Sequence, residues 1–329
     1  MTTLEDVTKG LSPKMQKLVR VASEVELERM PLASYSLTKA LGGGVGYGRQ
    51  CLVWGQKSAG KTSLLLASAA KAQKQGKTVA LIDAENSFEK QWAESLGVDT
   101  KNLLLSTVKS IDDMGDISIE LINSGIDVII VDSISSLLSS AFFEKKGGEM
   151  KELQDTKQIG SEAKDLASAL KAMNYANKNT ALLLVSQIRM KMGQSFAYAA
   201  PTGGEATKFF SSTIIRLSAP VQEDKQVHQD IAIDDRILKK AVGRPVSWEI
   251  EYNKIGPPSS VGQYDFYYLG DNVGVDYYGE IVREAESFGV IKKAGSWLKY
   301  GDVSIQGYPS WSRRLKEDKD LLDEIVKQL

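Results

Sequence analysis

The chain has 329 residues, 42% of them hydrophobic and 25% charged, with a formal net charge of −1. That composition supports one large core or two unequal ones, and the near-neutral balance excludes nucleic-acid binding by global basicity, leaving only local patches. A single cysteine, Cys51, excludes an internal disulfide and fits a reducing compartment, while a single histidine, His228, with no cysteine beside it, argues against a structural zinc site.

Residues 1–10 are polar and acidic, and no apolar run of membrane length follows, so a cytoplasmic protein without membrane contact is expected. Leu11, Met15, Leu18, Val19 and Ala22 have the spacing of an amphipathic helix opened by Ser12-Pro13, which needs a core or a neighbouring molecule to bury its stripe. Residues 42–48 are too glycine-rich for a helix or central strand and predict a loop. Then comes Gly55-Gln56-Lys57-Ser58-Ala59-Gly60-Lys61-Thr62, a complete G-x-x-x-x-G-K-[ST] phosphate loop. Its glycines let backbone N–H groups close around phosphates, Lys61 reaches β/γ oxygens, and the Thr62 hydroxyl ligates Mg²⁺. The apolar run Cys51–Trp54 leads in as a strand, and 63–71, beginning at Ser63, reads as a helix whose N-terminus faces the anion. The whole stretch from Gly55 to Ser63 is therefore expected to hold a nucleoside triphosphate.

Further strands are predicted at 78–83, 102–106, 126–132, 180–186 and 213–218, alternating with helical stretches. Three of them are continuously apolar, as strands covered on both faces are, so the expected fold is α/β, a mostly parallel sheet sandwiched by helices. The segments 144–157 and 191–204 interrupt this rhythm as long loops. After 220 the texture changes to charged and aromatic β-like runs and then helices at 278–288 and 320–328, which reads as a peripheral extension or small C-terminal subdomain. The division expected is 1–34 as an N-terminal segment whose stripe needs a core or a neighbouring molecule, 35–270 as the nucleotide-binding core and 271–329 as the C-terminal subdomain.

Three strand ends carry chemistry. Asp132 closes the run Val128–Val131 as a Walker B carboxylate able to hold Mg²⁺ beside Thr62. Glu85 and Asp83 both close a second strand on one side by period-two alternation, so spacing does not choose which is the general base. Gln187 follows a third, where its amide can read a γ-phosphate or simply pack.

Taken in order, Ser36-Leu37, Leu41-Gly42-Gly43-Gly44 and Gly48-Arg49, the phosphate loop, Ile82-Asp83-Ala84-Glu85, Val131-Asp132-Ser133, Gln187-Ile188-Arg189-Met190-Lys191, Thr202-Gly203-Gly204 and Asn253-Lys254-Ile255 resemble the RecA family of strand-exchange ATPases. The resemblance runs from about Tyr35 to Trp297, and the short C-terminal part looks more like a phage-type branch (UvsX-like) than a bacterial one. It implies a RecA-like ATPase core and an ATP- and Mg²⁺-dependent DNA recombinase. Such an enzyme forms filaments of itself on single-stranded DNA, pairs them with double-stranded DNA, and works with mediator and single-strand-binding proteins. By position, Glu85 matches the water-activating glutamate, Trp92 the aromatic on adenine and Gln187 the switch glutamine. The segments 144–159 and 190–204 match two DNA-binding loops. Ile159, Lys164, Lys171, Arg189, Lys191, Phe196, Tyr198, Gly203, Gly204 and Lys208 become the DNA-facing set. Lys254 matches one of two lysines that reach a neighbouring subunit's γ-phosphate; the other position is Tyr252, and Arg244 is a candidate replacement. A hexameric helicase and a non-catalytic ATP-switched regulator share the phosphate loop and are the alternatives.

Overall fold

Short runs that are apolar on both faces can only be satisfied inside a sheet covered twice, and that requirement organises the molecule. The computed structural model describes residues 3–140, 161–192, 197–202, 204–233, 236–270 and 272–329. Among these residues the main sheet has 11 strands: β1 (Gln50–Gly55), β2 (Val79–Asp83), β3 (Leu103–Thr107), β4 (Val128–Asp132), β5 (Ala181–Met192), β6 (Ala197–Pro201), β7 (Thr213–Ser218), β8 (Val227–Ile233), β9 (Arg236–Asn253), β10 (Ser260–Tyr267) and β11 (Gly274–Val275). The order β7-β1-β5-β4-β2-β3 is parallel throughout. The strands β9, β10 and β11 continue the sheet beyond β7 in antiparallel fashion, and β8 pairs with β9.

Alternation along β1 sends Cys51 and Val53 into one core, with Leu64 and Leu65 of a covering helix, and Leu52 and Trp54 into another, with Leu166 and Leu170. The helices that matter for the site are α1 (Tyr35–Ala40), α2 (Lys61–Lys74), α3 (Lys90–Ser95), α4 (Ile111–Asn123), α5 (Ser161–Ala176) and α6 (Gly204–Phe210). The C-terminal part adds α7 (Tyr277–Ser287), α8 (Tyr308–Glu317), α9 (Lys319–Val326) and a three-stranded sheet around a separate core that includes Trp311 and Ile325. Glu280 of α7 is buried and clamps the start of α1, accepting from Ser34 Oγ at 2.7 Å, Tyr35 N at 2.9 Å, and Ser36 N and Oγ. Among the described residues no helix is long and apolar enough to cross a membrane.

Three expectations change. The helix expected around 11–22 shrinks to Pro13–Gln16, preceded by Leu4–Lys9, and Met15, Leu18 and Val19 stay exposed. Without a surface to bury its stripe, a segment this short lacks the contacts that hold a helix. The segment 191–204 is not wholly a loop: β5 runs on to Met192 and β6 pairs back onto it, Ile188 opposite Pro201 and Met192 opposite Ala197. The run after 220 is not peripheral either, because β9 lies against β7 and extends the main sheet.

Candidate active site

Strand β1 ends where the backbone must pass close to its neighbour. A Cβ on Gly55 would stand 2.0 Å from the Leu217 carbonyl oxygen, so only glycine fits. The chain then loops to Gly60, which starts α2 in the left-handed region at φ 86° without any side-chain cap. The first N–H groups of a helix have no intrahelical partner, so those of α2 lie open to an anion. Lys61 is buried and donates to the carbonyls of Gly55 at 3.1 Å and Gln56 at 2.8 Å. Burial holds its ammonium below the usual lysine range, against the pull of Asp132 and Glu85. An uncapped helix start, a glycine cradle and a lysine on loop carbonyls fit a polyphosphate.

The parallel order brings the C-terminal ends of β1, β5, β4 and β2 side by side. Asp132 lies on β4 in register with Asp83 of β2 and is buried, with Thr62 Oγ1 donating to its Oδ2 at 2.5 Å. Burial, with the charges of Glu85 and Asp83, pushes its carboxyl up to about 6 despite the Thr62 bond and Lys61. This hydroxyl–carboxylate pair has the oxygen donors that Mg²⁺ takes.

The structure separates Asp83 from Glu85. Strand β2 stops at Asp83, and its carboxylate accepts from the backbone N–H groups of Glu85, Ser87 and Phe88 at 2.8–3.2 Å. Asp83 is spent on shaping the turn. Glu85 lies beyond the strand, where Asn86 has φ 52°, so the alternation that equated the two no longer applies. Its Oε1 accepts from Ser133 Oγ at 2.7 Å, Gln187 Nε2 at 2.7 Å and Ser136 Oγ at 3.3 Å. Burial pushes the Glu85 carboxyl up, but these bonds and Lys61 outweigh it and hold it below the usual range. Gln187 stands in register with Gly55, and its own N–H is held by Ser135 Oγ at 2.8 Å.

Ser135, Ser136 and Ser186 carry no role in the sequence reading, and Ser133 enters it only as the end of the Val131-Asp132-Ser133 motif. The only signal was the run Ser133-Ile134-Ser135-Ser136 directly after the Walker B carboxylate.

The remaining expected residues are dispersed. Trp92 on α3 is half-buried and packs on Phe266 with 6.3 Å between ring centroids. Lys164 and Lys171 lie exposed on α5, away from its buried residues Leu166, Leu170 and Met173, and Lys208 lies on α6. Arg189, Lys191 and Tyr198 occupy backbone positions in the β5–β6 hairpin, and Gly204 starts α6. Ile159, Phe196, Gly203 and the first loop at 144–159 fall outside the described residues.

Lys254 is not near the phosphate loop of its own chain. Its N–H bonds Ser212 O at 2.8 Å and its Nζ donates to Phe209 O at 3.0 Å, over the rings of Phe209 and Tyr252. Cys51 pairs with Thr213 and Gly55 with Leu217, which puts the two ends of β1 about 13 Å apart along the strands. Lys254 sits past the first end and the loop past the second. Arg244 does not share Lys254's edge: β9 carries it past the Ser247–Ser218 pair, on the phosphate-loop side, where Val246 neighbours Gly60. It cannot replace a lysine at the contact Lys254 makes.

The family model described as RecA N-terminal domain matches residues 3–269, and that described as RecA C-terminal domain matches 279–329. A Protein RecA from Lactobacillus johnsonii is 34% identical over 331 residues, covering 99% of this chain and 85% of the relative. The Aquifex pyrophilus Protein RecA is 35% identical over 319 residues (94% and 85%), and that of Chlorobaculum parvum 33% over 315 (93% and 83%).

Proposed function

The chain belongs to the RecA family, and from that premise we propose how its residues divide the work. The protein is an ATP-dependent DNA recombinase that hydrolyses ATP with Mg²⁺, binds DNA and assembles with itself; a helicase is not favoured. Residues 55–63 hold the phosphates, Lys61 meets the β/γ oxygens, and Trp92 stacks on the base. Thr62 and Asp132 hold Mg²⁺, which when bound neutralises charge on the phosphates. Glu85 takes the proton of the attacking water, and Gln187 leaves it to meet the γ-phosphate and reports that contact to the β5–β6 hairpin. Lys164, Lys171, Arg189, Lys191 and Lys208 line the DNA path with Ile159, Phe196, Tyr198, Gly203 and Gly204.

One observation carries this division: Lys254 and the phosphate loop lie at opposite ends of β1. A lysine so placed can stabilise transferring charge only on another copy's nucleotide, as an arginine finger does in trans. The active site is then completed by assembly, with Lys254 alone at the position where Tyr252 replaces a second cation. The exposed Met15, Leu18 and Val19 of residues 1–34 supply a surface for the neighbouring copy. Core 35–270 and subdomain 271–329, a cytoplasmic setting, and mediator and single-strand-binding partners complete the proposal. The phage-type branch expected from the sequence finds no support in the bacterial relatives, so the assignment stands at family rank.

Electron microscopy with single-stranded DNA and a slowly hydrolysed ATP analogue tests the assembly, and joint-molecule formation tests the activity. Helical filaments and joints that require homology are expected. Strand displacement without a homologous partner would overturn the recombinase in favour of the helicase.

A further inference from the structure

We propose that Ser135 and Ser186 form a two-hydroxyl relay that fixes the backbone of Gln187 to both strands of the β5–β6 hairpin. Hairpin position then sets whether the Gln187 amide rests on Glu85. The proposal builds on the assignment of Gln187 as nucleotide sensor and adds the device that couples it.

Gln187 is the last β5 residue in register with β1, and the hairpin leaves the sheet immediately after it. Its backbone is gripped on both sides. Its N–H donates to Ser135 Oγ at 2.8 Å, and its carbonyl accepts from Ser186 Oγ at 3.2 Å. The returning strand is tied to the same pair, because Thr202 N–H donates to Ser186 Oγ at 2.9 Å. The two hydroxyls stand 3.4 Å apart. One consistent assignment has Ser135 donating to Ser186, which leaves both oxygens accepting a backbone N–H.

The other end of the relay is the base. Ser135 lies between Ser133 and Ser136, both of which donate to Glu85 Oε1, the atom that also takes the Gln187 amide. A segment of four residues therefore touches the carboxylate on one side and the hairpin root on the other. Hydroxyls suit this place because each rotates about one bond and exchanges partners without stranding a buried N–H. Ser186 is fully buried, so water does not compete for its bonds. Thr202 carries a second coupling: its carbonyl accepts from Thr207 Oγ1 of α6 at 3.2 Å, and its own buried hydroxyl has no partner among the described residues. Moving the return strand shifts Thr202, releases Ser186 and frees the Gln187 backbone. A merely structural pair of serines would satisfy the same backbone groups but would transmit nothing between nucleotide and hairpin.

Amide hydrogen exchange over 186–202, on the full chain without DNA, separates these. The wild type, Ser135→Ala and Ser135→Thr are compared with and without a slowly hydrolysed ATP analogue and Mg²⁺. The wild-type rates should change about five-fold on analogue binding, the size one neutral hydrogen bond sets in an equilibrium. Ser135→Ala should lose most of that change and lower the melting midpoint by only about 2–6 °C, the cost of one unpaired N–H, and Ser135→Thr should restore both. Ser186→Ala, which removes the Thr202 acceptor, should reproduce the loss. An alanine variant that responds as the wild type does overturns the relay, as does a wild-type hairpin that ignores the analogue. Because this readout needs no DNA, failed joint-molecule formation counts against the recombinase assignment and not against the relay.

Discussion

Replacing Asp132 with Asn should stabilise the metal-free, nucleotide-free protein while abolishing its hydrolysis. The Asp132 carboxyl is buried and raised from 3.8 to about 6, with Glu85 and Asp83 adding to the cost of its charge. That gap is worth about 3 kcal/mol at roughly 1.36 kcal/mol per pH unit, an upper value because water and relaxation reduce the cost of a buried charge. Asn keeps an oxygen for the Thr62 hydroxyl, so the bond at 2.5 Å survives and the net gain should be about 1–3 kcal/mol. The sign follows from linkage. A folded-state value above the unfolded one favours the fold at low pH, and that favour is lost as pH rises through the folded value. The advantage of Asp132→Asn should therefore be absent below pH 3.8, grow up to about 6 and stay level above it. Thermal melts in chelator from pH 4 to 8 measure this, each kcal/mol moving the midpoint by about 2 °C in a chain of this size. A variant that melts lower than the wild type at pH 7.5, or a difference flat with pH, refutes the buried-charge account.

Glu85→Gln should lower turnover about 10²- to 10⁴-fold, the usual worth of a general base, while binding of an ATP analogue persists; unchanged turnover removes Glu85 from that role. Glu85→Gln and Lys254→Ala should each be inactive alone yet regain about a quarter of wild-type turnover when mixed in equal amounts. Random assembly leaves about one interface in four with an intact Glu85 on one copy and an intact Lys254 on the next, as a head-to-tail contact requires; no recovery would place Lys254 outside the neighbour's site. Gly55→Ala should cost about 3 kcal/mol or more in urea unfolding, since its Cβ would meet the Leu217 carbonyl at 2.0 Å; a near-neutral result would mean that β1 and β7 separate more readily than their register implies.

The parallel half of the sheet was legible because burial on both faces writes an unbroken apolar run, as in Val128–Val131 and Ala181–Val185. The antiparallel half was legible only as β-like runs, without its place in the sheet. Strand β9 mixes buried Val246, Trp248 and Ile250 with charged residues, and only its pairing with β7 shows that it continues the sheet. The β5–β6 hairpin was hidden for a related reason: Ala197, Ala199, Ala200 and Pro201 have little strand preference of their own, and the partner strand decides the outcome. At the site, Lys61, Thr62, Glu85, Asp132 and Gln187 could be expected together because parallel strands deliver their ends to one edge. Spacing alone left Asp83 and Glu85 equal and only the resemblance favoured Glu85; the turn at Asn86, which ends the alternation, supplies the physical reason. The serines around Glu85 had no periodic signature, since a hydroxyl's role depends on which N–H lies opposite it.

Lys254 shows most sharply what sequence order leaves open. Its distance along the chain from the phosphate loop says nothing about which edge it reaches; that depends on β9 running antiparallel to β7 and ending at Thr213 instead of Leu217. The same register puts Arg244 on the other edge, so one strand carries a cation toward each side of the sheet. A molecule that keeps its nucleotide loop on one edge and its donor lysine on the other has a head and a tail. A head-to-tail contact leaves a free head and a free tail at its ends, and such contacts grow into an open helix unless the rotation closes a ring. With a net charge of −1, little overall repulsion opposes that growth. On the proposed assignment of Lys254, hydrolysis and assembly are coupled by geometry: a copy without a neighbour would retain Glu85, Asp132 and Lys61 but lack a cation from the next copy's Lys254.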